Sequence, residues 1–334
     1  MPPLPRTLVQ FFLLPVLLFA LAVACGDDDD EAPGEPVEVT MGHIPILIFA
    51  PVFVGIERGY FEEEGIVLNL QRLEGGADML VQTAAGNFDI GGGGVGVAIF
   101  NAAATALEET DEVPFEVVAP LHSEREPVTT PLVVSKTRYD EGEITSIGDL
   151  AGKKVSINAR GAATEYWLDR ALQSGGLTID DIELTEVGFG DVAAALGNGS
   201  IDGAMLGEPL VTLSEDQGLV HVLAEGFVDG DQPTAIYWNR GWAEENEELA
   251  EGFLRAYERA VEDLQDGGWE DPAIHAIIEQ YTEVPAEVVA RAAHPFQDTE
   301  LNLEGFRAQE EFFRGQGLLT YEGELDFDEF MRTD

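Results

Sequence analysis

Residues 59–94 read GYFEEEGIVLNLQRLEGGADMLVQTAAGNFDIGGGG, and residues 168–209 read LDRALQSGGLTIDDIELTEVGFGDVAAALGNGSIDGAMLGEP. Both run in the same order. A helix ends, Gly65-Ile66 or Gly176-Leu177 turns the chain, an alternating strand comes next, then a Gly-bearing turn, an Ala-rich helix, Gly-Asn, an aspartate and a second short strand. Gly86-Asn87 and Gly197-Asn198 fall where a helix stops on a left-handed residue. Strands alternating with helices predict two α/β units with mostly parallel sheets. In such sheets ligands bind in the crevice beyond the carboxyl ends of the strands. Two similar lobes facing each other therefore predict a cleft.

A chain of 334 residues has length for two cores. Its 64 Asp and Glu against 17 Lys and Arg give a net charge of −47. That surplus excludes nucleic acid and anionic lipid as charge-matched partners. It reads either as a solvated acidic surface or as a preference for a cationic ligand. Cys25 is the single cysteine, so neither an intrachain disulfide nor a cysteine-based zinc site is available. It comes after Arg6 and the apolar run LVQFFLLPVLLFALAVA (8–24), the layout of a secretory signal. LAVAC (21–25) resembles a bacterial lipobox, with Ala22 where Leu is common. Lipidation at Cys25 is expected, against an uncleaved anchor or an ordinary signal peptide. GDDDDEAPGEP (26–36) has nothing to bury and reads as an acidic tether.

Alternation predicts strands at 37–43, 66–70, 88–91, 115–121, 131–135, 153–158, 182–187, 201–206, 219–224 and 234–238. Helices are predicted at 51–65, 77–86, 95–108, 162–174, 190–197 and after Pro209, then at 243–266, 272–281, 286–293, 303–316 and 324–331. The polar segment HSEREPVTT (122–130) reads as the first crossing between lobes and TAIYW (234–238) as the return. The expected layout is lobe I at 37–125 and 234–334, its C-terminal helices forming a cap, with lobe II at 126–233.

GYFEEEGIVLNL (59–70), AAGNFDIG (84–91), DLAGKKVSINARGAATEYWLDRAL (149–172) and GSIDGAMLGEP (199–209), in that order and spacing, resemble one family. It comprises the solute-binding proteins of ABC importers for nitrate, alkanesulfonates, taurine and thiamine-pyrimidine precursors. The resemblance implies a two-lobed type II periplasmic-binding-protein fold, α/β with mixed sheets flanked by helices, that closes on one small solute. It implies permease and ATPase partners and an extracytoplasmic location; with the lipobox, a lipid-anchored monomer without cofactor or metal is expected.

In such a fold the loops after the strands face the ligand. Ile46, Leu47 and Phe49 either wall the pocket or staple onto the next helix. Gly75 and Gly76, and Gly93 and Gly94 within Gly91–Gly94, allow close backbone approach or are merely turns. Asn158, Arg160, Gly161, Ala162 and Thr164 lie between a strand and a helix. They form a candidate anion grip of backbone N–H groups, helix dipole and guanidinium, unless Arg160 is a rim charge. Glu208 either contacts an amine of the solute or caps the next helix. Tyr166, Trp167, Tyr237 and Trp238 are the aromatics near the mouth, and Trp238 either stacks on a solute ring or packs in the core. Asp89 and Asp202 read as caps at strand starts. One enzymatic branch of the superfamily uses pyridoxal phosphate, a histidine and a cysteine-rich loop. Here Cys25 is the only cysteine, and the five histidines show no metal spacing such as H-E-x-x-H, so catalysis is not expected. A sensory lipoprotein without an importer is the alternative.

Overall fold

A computed structural model describes residues 36–73 and 76–332. The signal segment with Cys25, all of the tether but Pro36, and Gly75 lie outside them. Among the described residues ten strands form two five-stranded sheets, one at each of the ten places that alternation predicts. They are β1 Val37–His43, β2 Ile66–Arg72, β3 Ile90–Gly94, β4 Phe115–Glu124, β5 Leu132–Ser135, β6 Lys154–Ile157, β7 Glu183–Glu186, β8 Gly203–Met205, β9 Val220–Ala224 and β10 Asp231–Asn239. The order is β2-β1-β3-β10-β4 in the first sheet and β7-β6-β8-β5-β9 in the second. Each sheet has three parallel strands and an antiparallel pair beside them.

The likeness of the halves extends to single hydrogen bonds. Asp89 accepts from the Thr40 amide at 2.8 Å and its own amide donates to Thr40 O at 3.0 Å. Asp202 does the same with Lys154, at 2.9 and 2.7 Å. Both aspartates thus stitch the start of a strand to its parallel neighbour, as caps. The helix before each ends differently: the left-handed residue is Gly86 in the first half but Gly199 in the second, one place beyond the predicted Gly197-Asn198.

The glycine run 91–94 forms a strand, where the sequence suggests a turn. It is sandwiched between β1 and β10. A Cβ at Gly91 would meet the Thr83 hydroxyl and the Tyr237 ring at 2.6 Å, and one at Gly92 would meet Phe49 at 2.8 Å. Packing on both faces therefore accounts for Gly91 and Gly92. β4 runs three residues beyond the predicted strand, because His122 and Glu124 find buried hydrogen-bond partners there. The chain leaves the first sheet after Glu124 and returns at Asp231, which pairs with Glu124 across β4 and β10.

The first core lies between the first sheet and the helices Ala50–Glu57, Glu247–Gln265 and Pro272–Thr282. Phe53, Phe61, Phe253 and Tyr257 fill it. A second apolar cluster runs without a break from Phe100, Phe115 and Tyr237 to Leu132, Ile157 and Trp167, across both sheets. The predicted C-terminal cap is divided. Helix Leu303–Gly315 lies against β10 and also against the second-lobe helix Ala163–Ser174, where the Phe312 and Tyr166 rings meet at 5.4 Å. The predicted helix 324–331 shrinks to one 3-10 turn, Phe327–Glu329, with Phe327, Phe330 and Met331 buried. Among the described residues no helix is long and apolar enough to cross a membrane.

Candidate ligand-binding cleft

A cleft of about 410 Å³ opens between the carboxyl ends of the two sheets. Each sheet lines it with strand ends and the loops and helix starts beyond them. From the first come Ile44, Ile46 and Ile48 after β1, Gly93 and Gly94 of β3, and Gly96, Val97 and Ala98 at the start of helix Val97–Thr110. From the second come Asn158–Thr164 after β6, Trp167, Phe189, Gly207 and Glu208. The crossings supply His122, Thr129, Thr130, Pro233 and Thr234.

The floor is a buried polar network at the crossings. His122 Nδ1 lies 2.7 Å from Thr234 Oγ1, and its Nε2 lies 3.4 Å from Glu124 Oε1. Glu124 accepts from the Thr129 amide at 2.9 Å and the Thr129 hydroxyl at 2.8 Å. Trp167 Nε1 donates to Asp231 Oδ2 at 2.5 Å. Burial pushes the Asp231 carboxyl up to about 6. The Trp167 bond opposes that rise and the Glu124 charge adds to it.

The segment 158–164 reaches the wall, and its Arg160, Gly161 and Ala162 amides already donate within the protein. Gly161 N–H donates to Glu165 Oε2 at 2.6 Å. Arg160 Nη1 lies 3.0 Å from Glu165 Oε1, off the line of its N–H bonds, so that oxygen has no directed hydrogen bond. The Arg160 amide donates to Glu186 Oε1 at 2.8 Å, and the Ala162 amide donates to Ala159 O at 3.3 Å. Thr164 Oγ1 donates to Asn158 Oδ1 at 2.6 Å. Glu165 is fully buried in the first turn of helix Ala163–Ser174. Burial raises its pKa, against the Gly161 bond and the Arg160 charge.

The lobes touch at this point. Val97, the first residue of its helix, donates its amide to Gly161 O at 2.9 Å. Gly161 takes the left-handed φ of 73°. A Cβ on it would lie 2.8 Å from Val97 Cβ, and a methyl at Gly96 would overlap the Gly161 carbonyl oxygen. Two glycines thus permit backbone-to-backbone contact across the cleft.

Glu208 lines the cleft yet is only 6% exposed. It accepts from the Thr212 amide at 3.0 Å, the Thr212 hydroxyl at 2.8 Å and the Ala293 amide at 3.2 Å. It therefore caps helix Leu210–Asp216 and ties it to the segment after Val289. Burial raises its pKa, first among the causes. Nearby, Arg291 Nη1 pairs with Asp216 Oδ1 at 3.0 Å.

Of the residues expected at the site, Ile46, Gly93, Gly94, Asn158, Arg160, Gly161, Ala162, Thr164 and Glu208 line the cleft. Leu47, Phe49 and Trp238 do not. Leu47 and Phe49 are fully buried, and Phe49 packs on Phe53 and His43 as a core residue. Trp238 sits opposite Glu116 in the sheet, donating to its carboxylate at 2.9 Å and facing Trp242. Gly76 starts helix Gly76–Ala84, and it is Asp78 in the same turn that reaches the cleft. Of the four aromatics only Trp167 is a lining residue. His122, Thr130 and Phe189 are missed by sequence reading. His122 lies in a segment whose polarity marks a linker, and a lone Phe after Gly188 carries no pattern. Among the described residues no group of three or more His, Cys, Asp or Glu is placed to hold a metal ion.

Two mixed sheets flanked by helices with a cleft between them define a two-lobed periplasmic-binding-protein fold. The alkanesulfonate-binding protein SsuA from Xanthomonas axonopodis pv. citri, solved bound to MOPS, superposes with a TM-score of 0.69 at 18% identity, over 86% of this chain and 96% of its own. The model of the NMT1-like family matches residues 32–278, and the chain belongs to that family. Similar relatives are the riboflavin-binding protein RibY of Chloroflexus aurantiacus, 26% identical over 76% of this chain and 74% of its own, and the taurine-binding periplasmic protein of Escherichia coli, 26% identical over 59% and 57%.

Proposed function

We propose that this chain is the membrane-anchored, extracytoplasmic binding subunit of an ABC importer, capturing a small organic solute by lobe closure. The observation that carries the reading is the cleft itself. It is lined by both lobes and both crossings, it has the volume of a small-molecule site, and a backbone hydrogen bond spans it from Val97 to Gly161. A solute touching both walls favours the closed arrangement by the difference between its contacts in the two states. The names of the relatives bring riboflavin and taurine to this cleft as ligand chemistries. The isoleucines at 44, 46 and 48, with Phe189 and Trp167, make the walls largely apolar, which suits a ring-bearing vitamin precursor better than a bare sulfonate or nitrate. The anchor rests on Cys25 in LAVAC. Binding rather than catalysis is also what the names of RibY and the taurine-binding protein say of those proteins.

The test is a thermal-shift screen of vitamins, amines and sulfonates, and then small-angle scattering with each hit. The expected result is a melting temperature that rises with ligand concentration by mass action and a smaller radius of gyration. A hit that stabilises the protein without compacting it refutes lobe closure. If no permease and ATPase pair is stimulated by the loaded protein, the sensory reading replaces the importer.

A further inference from the structure

Lobe II presents what an oxyanion needs: the N-terminal end of helix Ala163–Ser174, a left-handed glycine with its amide turned inward, and a guanidinium. The chain fills that place itself. We propose that Glu165 is an internal occupant of the anion site and thereby selects against solutes that end in a sulfonate, nitrate or carboxylate. This deepens the solute-capture reading, on which it rests, by naming the class of solute that is refused.

Three observations carry it. The Glu165 side chain has no solvent exposure, and its two oxygens face two donors of the lining segment, the Gly161 amide at 2.6 Å and the Arg160 guanidinium at 3.0 Å. One of those oxygens, Oε1, is buried without a directed hydrogen bond. At the second N-terminus facing the cleft, that of helix Val97–Thr110, the first amide is taken too, because it donates to Gly161 O. Finally, the charges around the cleft are unbalanced. Among the described residues Asp78 and Glu208 line it against Arg160 alone, and Glu186 holds the Arg160 amide. Glu165 lies behind the cleft wall, so an oxyanion that takes the Gly161 amide must displace it and one held by the wall beside Gly161 lies close to it, and like charges in a partly dry site repel strongly. A neutral or cationic solute meets no such obstacle.

The experiment compares wild-type protein with Glu165→Ala and Glu165→Gln by titration calorimetry, using methanesulfonate and nitrate as probes. Glu165→Ala frees both donors and should bind methanesulfonate at least about tenfold more tightly than wild type. Glu165→Gln keeps the bulk, removes the charge and should fall between them. Adding Arg160→Ala to Glu165→Ala should abolish the gain. Where Glu165→Ala does not fold, the glutamine variant decides, with a gain above about threefold expected. The proposal is overturned if wild type binds either anion as tightly as the folded variants, or if the variants gain nothing. Both outcomes concern which solute is accepted. The importer reading fails separately, through an ATPase that the loaded protein leaves unstimulated.

Discussion

Gly96→Ala should keep the lobes from closing while leaving each lobe folded. Gly96 has φ −176°, an extended conformation that alanine adopts freely. The obstacle is space. A methyl there falls well inside contact with the Gly161 carbonyl oxygen, with the Gly161 carbon at 3.4 Å and Ala162 Cα at 3.5 Å behind it. Restoring an ordinary C···O separation of about 3.3–3.6 Å requires the lobes to part there by roughly 1 Å. That stretches the 2.9 Å bond from Val97 to Gly161 beyond hydrogen-bonding range. Losing the bond costs about 0.5–1.5 kcal/mol, and strain in any remaining closed form adds about 1–2 kcal/mol. Closure then becomes about 1.5–3.5 kcal/mol less favourable in total, so a solute that requires it should bind roughly tenfold to several hundredfold more weakly. Neither sheet changes, so unfolding without ligand should move by no more than about 0.5 kcal/mol. Calorimetry with a screening hit and scattering of the loaded protein measure both quantities. Wild-type affinity with wild-type compaction in Gly96→Ala would refute the claim that closure runs through this contact.

Cys25→Ser should release the protein from membranes; a variant that survives a carbonate wash in the membrane fraction refutes the lipobox reading. Arg160→Ala leaves the buried Glu165 carboxylate without its cation and should lower stability by about 1–2 kcal/mol, less than a fully buried pair because Arg160 is 46% exposed; unchanged urea midpoints would contradict the pairing. For Asp231, the folded pKa of about 6 lies above the usual 3.8, so the folded state keeps a proton that the unfolded chain releases. Its contribution is therefore most favourable below about pH 4, falls by about 3 kcal/mol between about 4 and 6, and stays low above. Asp231→Asn should flatten that interval in urea unfolding across pH, and parallel profiles would rule the group out. Arg291→Ala removes the pair with Asp216 and should weaken solute binding by about threefold at most, since the pair is exposed; a much larger loss in calorimetry would refute that estimate.

Every strand was legible in the sequence, because apolar alternation and short Gly-bearing turns are local signals that packing here reinforces. The sites of Phe49 and Trp238 were not. An aromatic at a strand end is equally consistent with pocket and core, and only the fold shows Phe53 on one and Glu116 against the other. The glycines of β3 look like a turn for a similar reason: what demands Gly91 and Gly92 is Thr83, Tyr237 and Phe49, which approach from elsewhere in the chain. The legible part of the cleft is the part made of contiguous residues, Asn158–Thr164. His122 and Thr234 meet only when β4 and β10 pair over a separation of 112 residues.

The occupant of the anion grip was within reach of sequence reasoning. Glu165 stands at the third helical position after Ala162, where an acidic side chain folds back onto the free amides of the first turn. The features that attract a foreign anion attract this one first, and a tethered carboxylate competes at high effective concentration. The anion grip and the negative surface therefore do not act in opposite directions on an incoming anion. With Glu165 in place, the near contact has the same sign as the far field. The net charge of −47 disfavours anions at a distance, within a Debye length of about 8 Å at physiological salt. The buried carboxylate disfavours them on contact, where screening by salt is weakest. An acidic exterior alone would lose that discrimination in a saline medium, whereas an internal acid keeps it.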